Sequence, residues 1–284
     1  MSRIIALVDS SIYAQSVCDH AAWIAARTGA GVELLHVLGH RRGAGAPNNL
    51  SGNIALGARS TLLKDLSDRD AETAKVSQKS GRVILDAAKS RLEAAGVKDV
   101  TARLRIGDIV EEVAEFEAGA DLILIGKRGD AADFATLDLG SNLERIVRSS
   151  RKPVVVAARA FTPVERFLIA FDGGPSSRKA VDHVAASPLF TGLSCRLLTV
   201  GSDTPETRDR LAQATATLEA AGLDVSAEIV QGPPDLLIAS EVETGGIGLL
   251  VMGAYGHSRI RRLIIGSTTA EMIRLCKIPV MLFR

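Results

Sequence analysis

The residues of this chain best suited to chemistry stand in its last third, in the order Gly253-x2-Gly256-x9-Gly266-Ser267. The apolar run Ile247, Leu249, Leu250, Val251 and Met252 precedes them, and Ser267, Thr268 and Thr269 continue the chain. That order predicts a buried strand, then a loop of phosphate-binding size, then a helix. Glycines let backbone N–H groups come close to a phosphate, and a helix N-terminus favours an anion. An ordinary glycine-rich turn is the alternative reading of so short a motif. His257 and Arg259 flank the loop. Either has the chemistry to meet a phosphate, and a histidine can move protons near neutral pH, although a water-exposed loop histidine is the plainer reading. Asp172 follows a second apolar run and precedes Gly173-Gly174, so its carboxylate either holds an Asx-turn or faces a ligand.

Other chemistries find little support. The P-loop spacing Gly-x4-Gly-Lys-Ser/Thr is missing, and Arg259, Arg261 and Arg262 are weak substitutes for the cations of fast phosphoryl transfer. No HxH, HExxH or carboxylate cluster suggests a metal site. Cys18, Cys195 and Cys276 are far apart and odd in number, which fits buried small apolar residues and no disulfide framework. His20, His36 and His183 fall on helix or strand positions and read as packing residues. A formal net charge of +1 and 4% aromatic residues supply neither the basic field nor the stacking platforms of a nucleic-acid binder. Met1 runs straight into Ile4–Val8, and no apolar run approaches the roughly 18 residues that span a bilayer. The expectation is a cytoplasmic chain with no membrane and no nucleic-acid partner.

The elements that must position the loop occur twice. Asp9 ends the run Ile4–Val8 as Asp172 ends Phe167–Phe171, 163 positions on, and Leu34-Leu35-His36-Val37 matches Leu197-Leu198-Thr199-Val200 at that offset. Leu122–Gly126 matches Leu249–Gly253 at an offset of 127, and Lys152-Pro153-Val154 matches the chain around Pro279 at 126. The chain is therefore a duplicated domain, 1–160 and 164–284, with Arg159–Val164 as linker. The fall in offset places extra residues in the first half between about 40 and 80. They read as a turn-rich loop from His40, then a short amphipathic helix leading into a longer one that ends near Gly96. A lid over a ligand or a packing or dimerisation helix are both open for this insertion. Strands alternate with helices in each half, and the strands are near-continuously apolar. This predicts an α/β fold of two doubly wound domains, with ligands beyond the carboxyl ends of the strands.

On Asp172, the Leu197–Val200 strand, the Gly253–Ser267 loop and the closing Ile278-Pro279-Val280 strand, the chain resembles the universal stress protein family in its tandem form. The resemblance covers essentially the whole sequence. It implies a five-stranded parallel sheet in each domain, frequent ATP binding, and pairing through the last strand of each domain, which gives an intrachain pseudo-dimer and leaves a homodimer open. Carried over, it implies that Asp172 faces the adenosine and that the backbone near Val200 holds adenine. Gly253, Gly256 and Gly266 would shape the phosphate loop, with Ser267 and Thr268 donating to phosphate oxygens. Mg²⁺ could arrive with ATP, held mostly by phosphate oxygens and water.

The first half departs from this pattern. Gly126-x2-Gly129 is followed by ten residues before Gly140-Ser141, and Asp130, Asp133 and Asp138 lie among them. Carboxylates repel a triphosphate unless a cation intervenes. The expectation is a degenerate first site, with Asp9 a structural remnant or part of a pocket for another ligand. Lys127 and Arg128 read as solvated surface charge, with contact to an anion as the alternative. The function that follows is an ATP-binding stress or regulatory protein, its nucleotide in the second domain and hydrolysis slow at most, with an unknown protein partner. The rivals are an adenine-nucleotide hydrolase or transferase, and a nucleotide-free scaffold that binds a protein or apolar ligand through the first domain.

Overall fold

A computed structural model of the chain describes residues 2–39, 56–129, 140–254 and 266–284. The first half runs β1 (Arg3–Leu7), α1 (Ala14–Thr28), β2 (Gly31–Leu38), α2 (Leu56–Ala94), β3 (Val100–Ile106), α3 (Ile109–Glu117), β4 (Leu122–Gly126), α4 (Ser141–Ser149) and β5 (Val154–Ala157). The second runs β6 (Arg166–Ala170), α5 (Pro175–Ala186), a 3-10 turn (Pro188–Phe190), β7 (Ser194–Val200), α6 (Pro205–Ala220), β8 (Asp224–Val230), α7 (Pro234–Thr244), β9 (Leu249–Gly253), α8 (Ser267–Leu275) and β10 (Val280–Phe283).

The ten strands of the described residues join one sheet in the order β3-β2-β1-β4-β5-β10-β9-β6-β7-β8. Every pairing is parallel except β5 with β10, where Val280 faces Val156, Met281 faces Val155 and Leu282 faces Val154. The order is a palindrome about that antiparallel pair, so the two halves are related by a local two-fold axis near Val155 and Met281. Joining the last strands removes two sheet edges that would otherwise invite aggregation. This is the two-domain doubly wound architecture expected, with its five parallel strands in each half.

Helices cover both faces, which is why the strands are apolar on both sides. Residues of α1, α2, α5 and α6 share one hydrophobic cluster, and residues of α3, α4, α7 and α8 share the other. Alternation along β1 sorts the side chains. Ile4 and Ala6 enter the first cluster, while Ile5 and Leu7 enter the second.

One expectation is overturned. The short helix followed by a longer one is a single α2 of 39 residues. After Leu56 the segment contains no proline, and Gly81 in its interior does not break it. A Cβ on Gly81 would lie 2.7 Å from Leu104 Cδ1 and 2.8 Å from His36 Cδ2, so the missing side chain lets the helix lie close against β2 and β3. At about 1.5 Å per residue the helix is about 58 Å long. Its turns from Ala71 to Ser80 are largely exposed. The turn-rich part of the insertion, His40 included, lies outside the described residues.

Candidate functional site

The C-terminal edge of β6, β7 and β9 carries Asp172, Val200 and Gly253. The chain leaves β6 through Phe171 and Asp172. Asp172 Oδ1 accepts from the Gly174 N–H at 2.8 Å and from Ser177 Oγ at 2.6 Å, so the carboxylate holds the turn into α5. Gly173 has φ of 72°, a left-handed conformation that favours glycine. Val200 closes β7 and Gly253 closes β9. A Cβ on Gly253 would sit 3.0 Å from Ser176 Cβ, which ties the start of the glycine loop to the first turn of α5.

The Gly266 N–H donates to Ala254 O at 3.2 Å, bringing the two ends of the loop together. Thr269 Oγ1 donates to Gly253 O at 3.1 Å, so this hydroxyl braces the loop's neck. Gly266 is the N-cap of α8, with no side-chain cap and no acidic residue in the first turn, and Ser267 and Thr268 open the helix. The first amides of a helix have no intrahelical acceptor, and with the helix dipole they make this end suited to an anion. The chemistry of this helix start fits a phosphate group. Gly256, His257 and Arg259 lie outside the described residues, as do Arg261 and Arg262.

In the first half Asp9, Gly126, Gly129, Gly140 and Ser141 all line one cavity of about 330 Å³. Asp9 Oδ1 accepts from the Ser11 N–H at 3.0 Å, and Ser11 Oγ accepts from the Tyr13 N–H at 3.3 Å. Tyr13 packs over Gly126, where a Cβ would lie 2.7 Å from Tyr13 Cβ. A Cβ on Gly129 would lie 3.0 Å from Asp9 Oδ2, so the Asp9 carboxylate faces the glycine loop. The volume is within the usual range for small-molecule sites. Its electrostatics differ from those of the second half, because Glu144 stands in the first turn of α4 and opposes an anion there. Asp130, Asp133 and Asp138 lie outside the described residues.

Sequence reasoning missed two features of this edge. His36 donates from Nδ1 to Val8 O at 2.7 Å, locking β2 to the end of β1, as a packing histidine should, yet it also lines the cavity with Tyr13. Thr199, at the equivalent position, keeps a buried hydroxyl with no partner among the described residues. The reading of Lys127 as solvated surface charge or anion contact is corrected. Its Nζ donates to Arg274 O at 2.8 Å and to Cys276 O at 3.1 Å, capping the C-terminus of α8 across the two halves. Burial lowers its pKa from the ordinary lysine value. Nothing in the sequence links positions 127 and 276. Arg128, beside it, lines the first-half cavity.

The cysteines are all buried. Burial pushes the Cys18 thiol up to about 11 and Cys195 up to about 12, away from thiolate chemistry. Among the described residues no group of three or more His, Cys, Asp or Glu could hold a metal ion. No described helix is long and apolar enough to cross a membrane.

Residues 1–158 and 163–284 each match the model of the universal stress protein family. Universal stress protein Slr1230 of Synechocystis sp. is 37% identical over 287 residues, covering 100% of both chains. The crystal structure of a universal stress protein from Archaeoglobus fulgidus DSM 4304 superposes with a TM-score of 0.69 at 21% identity, over 99% of this chain and 98% of that one. A putative universal stress protein from Pseudomonas aeruginosa UCBPP-PA14 gives 0.62 at 17% identity, over 100% and 93%. At those identities the two structures speak for the fold alone. Matched in both halves by the family model, and along its full length by the Synechocystis protein, the chain belongs to the universal stress protein family, in its tandem two-domain form.

Proposed function

We propose that the chain is a nucleotide-responsive regulatory protein that holds one ATP in its second half. The observation that carries this reading is the start of α8. It lies beyond the strand ends with a glycine N-cap and no carboxylate in its first turn, whereas α4 carries Glu144 there. Bound ATP supplies a polyphosphate charge, with Mg²⁺ shared between phosphate oxygens and water. In this reading Ser267 and Thr268 present hydroxyls and backbone N–H groups to that charge, and Gly253, Gly256 and Gly266 keep the loop close to it. Asp172, its turn already fixed by Gly174 and Ser177, faces the ribose side, and the backbone at Val200 holds the base. The first half, with Asp9 and an acidic loop, takes no triphosphate. Binding to the folded chain alone raises its stability by mass action, which is how occupancy would be signalled to a protein partner.

Calorimetric titration with ATP and Mg²⁺ tests the proposal by counting sites per chain, alongside Gly266→Asp and Gly140→Asp. Aspartate is a favoured helix N-cap, so both variants should fold, while the new carboxylate repels a phosphate. One site is expected, lost in Gly266→Asp and kept in Gly140→Asp. Two sites, or loss in Gly140→Asp alone, would overturn the assignment, as would no binding at all. Phosphate release in the same samples, abolished by changing His257 or Arg259, would instead favour the hydrolase reading.

A further inference from the structure

The duplicated strand ends have diverged in side chain while keeping their backbone register. Leu38 pairs with Ile106 at the end of β2 and β3, one step beyond Val37 and Arg105. In the second half Val200 pairs with Val230, so the equivalent positions are Gly201 and Gln231. In the same way Ile12 stands where the second half has Pro175, and Ile109 where it has Pro234. Four large aliphatic side chains therefore gather at the strand ends of the first half alone. Leu38 and Ile109 line the first-half cavity together with Val37, and all three are only partly buried, so their side chains present surface. Beside them, Ile12 precedes the lining residue Tyr13, and Ile106 is the sheet partner of Leu38. Each of these two isoleucines is 50% exposed. Aliphatic surface left in water beside a cavity is a cost that an apolar occupant removes.

The glycine-loop end of the cavity is polar. A Cβ on Gly129 would lie 3.0 Å from Asp9 Oδ2, and one on Gly140 would lie 3.7 Å from the Gly129 nitrogen, so these three residues meet. Asp9 and the Glu144 carboxylate in the first turn of α4 oppose an anionic head group there, and Arg128 in the lining offsets part of that charge. A carboxylate can accept several hydrogen bonds. Asp9, with the Ser11 N–H on Oδ1, can therefore take a hydroxyl as well.

We propose that the first-half cavity binds an uncharged aliphatic alcohol of medium chain length, its hydroxyl donating to Asp9 and its chain lying along Val37, Leu38 and Ile109. The proposal is independent of any nucleotide in the second half, because every residue it uses belongs to the first.

Calorimetric titration of the full chain with octan-1-ol, and with octanoate as its anionic counterpart, tests this. One saturable site per chain is expected for octan-1-ol, with octanoate weaker by roughly tenfold or more. Ile109→Asp puts a carboxylate in the aliphatic wall, at a helix start that tolerates it, and should abolish octan-1-ol binding. Asp9→Asn keeps an acceptor for Ser11 but loses the charge, and should close most of the gap between the two probes. Absence of saturable octan-1-ol binding overturns the proposal. So does octanoate binding as tightly as octan-1-ol to the unaltered chain, or octan-1-ol binding that survives Ile109→Asp. If Ile109→Asp fails to fold by circular dichroism, the contrast between the two probes in Asp9→Asn decides alone.

Discussion

His20 shows how a side chain that reads as simple packing acquires a pH-dependent role. Its Nδ1 donates to Ser16 O at 2.7 Å, while Nε2 is buried with no partner among the described residues. Burial lowers its pKa, against the smaller upward pulls of the bond to Ser16 and the charge of Asp19. The folded chain thus binds fewer protons here than the unfolded chain, whose histidine titrates near its ordinary value of about 6.5. Stability from this group is full above that value and falls as the pH drops below it. His183, also lowered by burial, adds to the same limb. Urea melts between pH 7 and pH 5 should show stability falling with acidification, and His20→Gln should make that slope shallower. An unchanged slope in the variant would remove His20 from the account.

At the scale of elements, α2 is the informative case. Hydrophobic spacing located it, but its continuity came from the lack of a breaker after Leu56, which a glycine at position 81 obscured. In an isolated helix Gly81→Ala should stabilise by about 1 kcal/mol. Here the added methyl would meet Leu104, which can yield, and His36, whose ring is held by its bond to Val8 O. Overpacking of this kind costs about 1–3 kcal/mol, so Gly81→Ala should lower net stability in chemical denaturation. A gain would mean that the helix is free to move off β2. The equivalent β2 and β7 also carry ion pairs of opposite polarity. Glu33 pairs with Arg103, whereas Arg196 pairs with Glu228, so the duplicated sheets share geometry and differ in charge.

At the scale of the whole molecule, the halves are joined by more than their last strands. Lys127 leaves the first glycine loop to cap the C-terminus of α8, whose other end is the proposed phosphate site. Lys127→Met leaves two carbonyls without their donor and should cost about 1–3 kcal/mol. Amide exchange should quicken across Ser267–Leu275, and Lys127→Arg should restore part of the loss. If exchange in α8 is unaltered, the contact does not hold that helix.

The duplication, the strand–helix alternation, the strand-end placement of Asp9 and Asp172, and the Gly-Ser helix starts are all legible in the order of residues. Each of these is local, written in hydrophobic period, glycine spacing and self-similarity. It took the folded chain to show that Lys127 caps α8, that Gly81 lets α2 reach His36, and that the equivalent histidines meet different rings, His20 that of Phe161 and His183 that of Phe283. Those contacts join residues distant along the chain, through a two-fold relation that no periodicity encodes. A side chain's partner there is set by which surfaces the folded sheet brings together, so residue type alone could not name it.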